Sequence, residues 1–321
     1  MNWRTTTISD LETLQKCAVG NNVFGNNYGA VNSVLYQKKY NAEISLEGGY
    51  FFEKLNFEGL SYFAFPHKLE VEASLSGQND SLAETDFEEI KDAVLKLAEE
   101  AKNFGGPLVF ENITATEKDT LVKIFPQAKV TASPNFADYI YRREDLALLP
   151  GKKYSRKRNH IHQFQNKYSD FSFELLNKDN LDFARRVEEK WLEENRDFAM
   201  NDGTLSDLQI EKEIITFALD NFETFSNACG MGGGILLVAG EPVAFCISSL
   251  LSKSVTDIHF EKCLYSFGRD GGYAVINNEF AKTVGTEFLN REEDLGIEGL
   301  RKAKLSYYPE QVLEKYLVEI N

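Results

Sequence analysis

Cysteine is scarce in this chain of 321 residues: Cys17, Cys229, Cys246 and Cys263 are the full set, and no two form a CxxC pair. Such spacing signals neither a disulfide framework nor a zinc site, and Cys246 and Cys263, inside apolar strand-like runs, read as buried thiols. Long hydrophobic runs are missing too. No stretch reaches the roughly 18 apolar residues of a membrane helix, and the opening MNWRTTTISDLETLQK lacks the basic-then-apolar layout of a signal peptide. A cytoplasmic protein with no integral membrane segment is expected. Positive charge is outnumbered, with 35 Lys and Arg against 50 Asp and Glu and a net charge of −15. Such a chain repels nucleic acid and anionic membrane on average, so an anionic partner needs a local basic patch.

What is present is core-forming material: 43% hydrophobic residues, with 24 Phe and 14 Tyr, more than one hydrophobic core usually organises at this length. Two domains are expected, 1–148 and 149–321, separated at Leu149, Pro150 and Gly151. In the first, DLETLQKCA reads as a helix, GNNVFGNNYGAVNSV as turns, and YNAEISLEGGYFFEKLN as a hairpin around Gly48 and Gly49. Residues 86–104 carry apolar positions at three-and-four spacing, the pattern of an amphipathic helix, and should stop at Gly105. A strand LVFENI, a helix TEKDTLVKIF and a strand ADYIYRRE complete a mixed α/β domain.

The second domain opens with KKYSRKRNHIHQFQNK, residues 152–167, which hold six Lys or Arg and no acid. A basic helix from about Tyr154 is expected there, then a strand FSFELL and helices near residues 182–195 and 207–225. The run from Cys229 to Gly234 precedes a strand, so it is not a dinucleotide fingerprint and reads as a flexible loop. GILLVAGEPVAFCISSLL and VTDIHFEKCL follow as strands, then the loop SFGRDGG and a helix YAVINNEFAKTV. Asp257, His259, Glu261 and Cys263 share one strand face by period two. Neighbours on such a face sit roughly 6–7 Å apart, so one metal cannot gather all four and no metal site is expected.

A glycine-rich turn entering a helix aims free backbone N–H groups at an anion. Arg269, Gly271, Gly272 and Ala274 fit the R-x-x-G-x-A pattern with which GNAT acyltransferases hold the pyrophosphate of coenzyme A; the plainer reading is a turn capping an ordinary helix. The segments LPGKKYSRKRNHIHQF, GGILLVAGEPVAF, HFEKCLYSFGRDGGYAVINNEFAK and NREEDLGIEGLRKAKLSYYPEQVLEKY together resemble the bacterial family related to the C-terminal domain of phosphatidylglycerol lysyltransferase. That likeness spans most of residues 149–321. It implies α/β architecture with two tandem GNAT-like domains, as in the Fem peptidyltransferases, and transfer of an acyl or aminoacyl group from acyl-CoA or aminoacyl-tRNA. No permanently bound cofactor is implied.

Direct attack on an acyl donor needs a route for the acceptor's proton and a donor for the leaving group. Glu261 is the candidate base, with His259 nearby, because this strand flanks the donor carbonyl in GNAT folds; the alternative is a salt bridge from Glu261 to an Arg of the terminal loop. Tyr307 or Tyr308 is the candidate acid, against a core-packing role. Arg158 and Asn159 are expected to touch substrate, and residues 152–167 are the natural contact for tRNA, unless this helix only packs on an acidic body. Asn290, Arg291, Glu292, Asp294, Arg301 and Lys304 form either a substrate-binding loop or an ion-paired one. The N-terminal half holds no catalytic constellation and is expected to support the other. A non-catalytic module binding a phosphorylated or acidic metabolite is the competing function.

Overall fold

A computed structural model describes residues 1–57, 59–70 and 84–321. The chain divides into two compact units, residues 1–138 with 293–301 and 312–321, and residues 139–292 with 302–311. The first unit is therefore discontinuous. Its boundary falls at Asp138, ahead of the expected break at Leu149, because Leu149 and Tyr154 are buried in the second unit's core.

Among the described residues the first unit carries an eight-stranded sheet. Its path runs Arg4–Thr5, Glu43–Glu47, Tyr50–Phe57, Leu60–Phe63, Leu108–Ile113, Tyr316–Ile320 and Lys129–Ala132, with His67–Lys68 paired to Tyr50–Phe57. The hairpin forms at Gly48 and Gly49, both at positive φ, which place Tyr50 opposite Glu47. Helix Glu84–Asn103 buries Ile90, Val94, Leu97 and Ala101. Each of the larger side chains contributes roughly 1.5–3 kcal/mol by leaving water. Thr114 caps helix Ala115–Ile124 in a capping box with Glu117. One expectation fails here. The Asn- and Gly-rich stretch read as turns contains helix Ala30–Leu35, all six residues of which are buried, so tertiary burial overrides the local turn signal.

The second unit's sheet runs Asp138–Arg142, Phe288–Asn290, Val255–Cys263, Glu241–Leu250, Gly232–Val238 and Phe171–Leu175. Helices Ser155–Lys167 and Gly272–Thr283 supply Ile161, Phe164, Val275, Ile276 and Phe280 to its core. The glycine run is no loop: Gly232–Val238 is a strand between two others. A Cβ on Gly233 would lie 2.0 Å from the Cys246 carbonyl oxygen, and one on Gly234 would meet the Phe173 ring at 2.3 Å. These glycines serve close backbone packing.

Both sheets are mixed, and each repeats one device. Leu60–Phe63 pairs in parallel with Leu108–Ile113, and Val255–Cys263 with Phe288–Asn290, while the other resolved pairings are antiparallel. A parallel pair needs a crossover, supplied by Glu84–Asn103 in one unit and Gly272–Thr283 in the other. The molecule is thus two α/β units in tandem, as expected. No described helix is long and apolar enough to cross a membrane.

Candidate functional site

Strand Val255–Cys263 organises the chemistry of the second unit. Its register against Glu241–Leu250 skips between Ile247, opposite Phe260, and Ser248, opposite Ile258. His259 is the extra residue of this β-bulge, a device that re-aims side chains. The parallel ladder to Phe288–Asn290 ends at Asp257 and Asn290. The chain then continues along Tyr139 through paired backbone bonds, Arg291 N to Tyr139 O and Tyr139 N to Glu292 O. Glu292 sits at φ +53°, where a side chain is strained, so consecutive residues Arg291 and Glu292 serve different neighbours.

Arg291 turns to Glu261, its Nη2 donating to both carboxylate oxygens at 3.0 and 3.2 Å. Asn277, with its carbonyl oxygen toward the guanidinium, accepts from Arg291 Nη1 and Nε at 3.2 Å. The guanidinium carbon lies 5.0 Å from the Tyr307 ring centre and 5.8 Å from that of Tyr141. Burial works against the charge of Arg291, but Glu261 together with Tyr141, Tyr307 and Cys246 outweighs it and holds the guanidinium above its ordinary range. Burial likewise pushes the Tyr141 and Tyr307 hydroxyls well up, so both stay protonated. Lys157 joins the same ring from helix Ser155–Lys167, its Nζ 3.5 Å from the Tyr307 centre. Desolvation first, then the charges of Arg291 and Arg156, lower its amine to about 8 despite Glu261.

Glu292 and the bulge form a second cluster. His259 Nε2 shares a 2.8 Å hydrogen bond with Ser249 Oγ, and its Nδ1 lies 3.3 Å from Glu292 and 3.7 Å from Asp257. The ligand atoms of Asp257, His259 and Glu292 all fall within 4.8 Å of one another, close enough to gather one cation. The bulge and Glu292 bring about this grouping, which excludes Glu261 and Cys263. Asn290 Oδ1 accepts from the Glu292 amide at 2.7 Å, and Lys304 Nζ donates to the carbonyls of Arg291 and Glu292. Tyr141 in turn donates to the Lys304 carbonyl at 2.9 Å, and Tyr154 to that of Tyr307 at 3.0 Å. These bonds fix the strained segment from both sides.

The other sequence candidates lie elsewhere. Arg269 ends the short helix Tyr265–Arg269, a helical turn within the stretch expected to be all loop. It lines an open cleft of about 240 Å³ with Lys167, Tyr265, Ser266 and Asp270. A Cβ on Gly271 would stand 2.4 Å from the His160 carbonyl oxygen, and one on Gly272 would stand 2.7 Å from Cys263 Sγ. Packing alone therefore requires both glycines, and Ala274 is buried behind them. Arg158 donates to the carbonyls of Leu149 and Gly151, tying down the loop before its own helix, whereas Asn159 is exposed. Asp294 and Arg301 belong to the first unit, where Arg301 Nε and Nη2 each reach Asp294 at 2.8 Å.

Lys157, Asn277 and Ser249 were not singled out from sequence. A signal existed for Lys157: Tyr154, Lys157, Ile161 and Phe164 repeat at three, four and three, which sets a lysine on the apolar stripe of the helix. Nothing local marks Asn277 or Ser249, whose partners are remote in sequence.

Residues 84–319 match the family model described as phosphatidylglycerol lysyltransferase, C-terminal. Over the whole length of both chains, the structure resembles a Bacteroides thetaiotaomicron protein of unknown function, at 30% identity and a TM-score of 0.86. Against the C-terminal domain of a lysylphosphatidylglycerol synthetase from Agrobacterium fabrum the TM-score is 0.63 at 13% identity, covering 98% of this chain and 92% of that one. Against L-PGS from Bacillus licheniformis it is 0.59 at 13% identity, covering 91% and 86%. An uncharacterized protein of Mycoplasmoides gallisepticum is 22% identical over 188 residues, 57% of this chain and 56% of that relative, so the match spans little more than half of it. With the family model matching most of its length, the chain belongs to the phosphatidylglycerol lysyltransferase C-terminal family.

Proposed function

We propose that this protein transfers an acyl or aminoacyl group to an acceptor by direct attack, with the second unit as its working part. The family match across residues 84–319 carries this reading, because it covers the whole bulged strand and the Glu261, Arg291 and Tyr307 cluster. In this reaction Glu261 receives the proton of the attacking acceptor. Tyr307, its hydroxyl kept protonated by burial, donates to the leaving group, and His259, held by Ser249, orients the strand beside them. Asn290, Glu292 and Lys304 hold the segment that presents Arg291. The reaction is cytoplasmic in this reading.

Two donors have support. Lys152, Lys153, Arg156 and Lys167 are exposed on or beside one helix, with Arg158 and Asn159 on the same helix, which favours the phosphates of an aminoacyl-tRNA. Arg269 in the open cleft, at the turn formed by Gly271 and Gly272, favours the pyrophosphate of acyl-CoA. The bidentate Arg291–Glu261 pair also favours a second reading, a non-catalytic module for a phosphorylated or acidic metabolite, since that carboxylate is already engaged.

Titration calorimetry with acetyl-CoA and with free CoA, alongside filter binding of mixed aminoacyl-tRNA, separates the donors. CoA binding that Arg269→Ala removes selects acyl-CoA; tRNA binding that a Lys152→Ala, Arg156→Ala double variant removes selects aminoacyl-tRNA. Donor turnover that Glu261→Gln abolishes with binding intact supports an enzyme. Binding of neither donor sinks the transferase reading.

A further inference from the structure

The cluster around Tyr307 is unbalanced in charge. Lys157 and Arg291 both approach that ring, and Arg156 adds its field, against the one carboxylate of Glu261. That carboxylate is taken up by Arg291 Nη2, and Nε and Nη1 each reach Asn277, which leaves the second N–H of Nη1 for a further acceptor. Lys157, in contrast, makes no hydrogen bond and no ion pair among the described residues. An ammonium carries three donors, and leaving a half-buried one without an acceptor costs free energy. The helix that carries it offers no relief. Tyr154, Ile161 and Phe164 anchor the helix in the core on the same stripe, which sets Lys157 on the face that meets the Tyr307 ring.

We propose that Lys157 and Arg291, over the Tyr307 ring, bind one oxyanion carried by the substrate, a phosphate or a carboxylate. That the oxyanion belongs to a substrate rests on the transferase reading, whereas the site itself stands on its charge and geometry. A cation would meet surplus positive charge here, and a neutral group would leave the Lys157 donors no better matched. An oxyanion supplies the missing acceptor and the missing charge together, in a setting where charge-assisted hydrogen bonds are stronger than neutral ones.

In the ligand-free protein the amine is lowered by burial, by Arg291 and by Arg156, with Glu261 opposing and Tyr307 and Tyr141 neutral. Only the ammonium binds the anion. Affinity is therefore full well below about 8 and falls as pH rises through it, and binding near that pH takes up protons.

The test is an NMR titration of protein labelled at lysine Cε, with the Lys157 resonance assigned by its loss in Lys157→Met. Without ligand its midpoint is expected near 8. Saturating inorganic phosphate or acetate should raise it by at least about one unit, the shift produced when the charged form is bound tenfold more tightly. A response to phosphate alone assigns a phosphate-bearing substrate, one to acetate alone a carboxylate. Glu261→Gln, which removes the competing negative charge, should tighten binding of the responding probe, and Lys157→Arg should retain it should Lys157→Met fold poorly. A midpoint that neither probe moves, or weaker binding in Glu261→Gln, overturns the site. Because no turnover is read, absence of transfer activity leaves this result standing, and an unmoved midpoint leaves the donor assays standing.

Discussion

In the first unit Lys315 and Asp138 meet at 2.7 Å, both almost fully buried, and Asn26 completes them: its amide donates to Asp138 Oδ2 at 2.8 Å and its side-chain oxygen accepts from Lys315 at 2.6 Å. In the second unit Lys157 and Arg291 share Tyr307 with a single carboxylate. One cluster matches each charge with a partner of opposite sign; the other leaves an amine over. Buried charges are tolerated when paired and hydrogen-bonded. The closed cluster therefore belongs to the fold, and a half-buried surplus belongs to something that arrives.

The largest expected effect tests the closed cluster. Lys315→Met leaves the Asp138 carboxylate buried without its lysine and should cost about 3–5 kcal/mol. Lys157→Met removes an amine with no hydrogen bond or ion pair among the described residues, leaving its contact with the Tyr307 ring to the methionine, and should change stability by less than about 1 kcal/mol. Denaturation followed by tryptophan fluorescence can assign the losses, since Trp3 lies in the first unit and Trp191 in the second. Equal destabilisation by both substitutions would make Lys157 as structural as Lys315.

Next in size is the glycine turn. Gly271 has φ +109°, and its added Cβ would press on the His160 carbonyl. Gly271→Ala should cost about 2–3 kcal/mol, from strain and overpacking together. If melting temperature falls while CoA affinity per folded molecule is unchanged, the glycine serves packing alone. Loss of affinity with stability retained would instead tie the turn to a ligand.

How much of this was legible in the sequence depends on how local the cause is. The helix Ser155–Lys167 and the hairpin at Gly48 and Gly49 follow from periodicity and turn chemistry, and both formed where expected. Helix Ala30–Leu35 is hidden in the sequence because the asparagines and glycines of residues 20–29 before it speak for turns, while its burial is decided by distant partners. Gly233 and Gly234 looked flexible because the sequence does not show Cys246 and Phe173 lying against them. The same limit applies to the last strand. Tyr316–Ile320 inserts between Leu108–Ile113 and Lys129–Ala132, a pairing between segments about two hundred residues apart that no local pattern declares. Within the site, Lys157 was readable as a charge on an apolar stripe, but the bulge at His259, which separates the two clusters, depends on a register that only pairing sets.

A third cluster carries the opposite surplus and gives the smallest effect. Lys262 pairs with Glu211 at 2.6 Å and lies over Trp191, while Glu188 is buried beside them with neither carboxyl oxygen hydrogen-bonded among the described residues. Desolvation raises that carboxyl to about 7, with Lys262 opposing. Here the mismatch is relieved by a retained proton, because a side chain 3% exposed offers a ligand no approach. The unfolded chain ionises first, so Glu188 makes stability fall as pH climbs from the ordinary carboxylate range to about 7, with no further loss above. Glu188→Gln keeps the shape without the ionisation and should gain about 1 kcal/mol at slightly alkaline pH, with little gain at acidic pH. Denaturant midpoints of the two proteins, compared across that range, check it. A gain independent of pH would mean that Glu188 is uncharged throughout and that its cost is one of packing; a loss would mean that its carboxylate has a partner, and that a surplus charge is not by itself the mark that sets Lys157 apart.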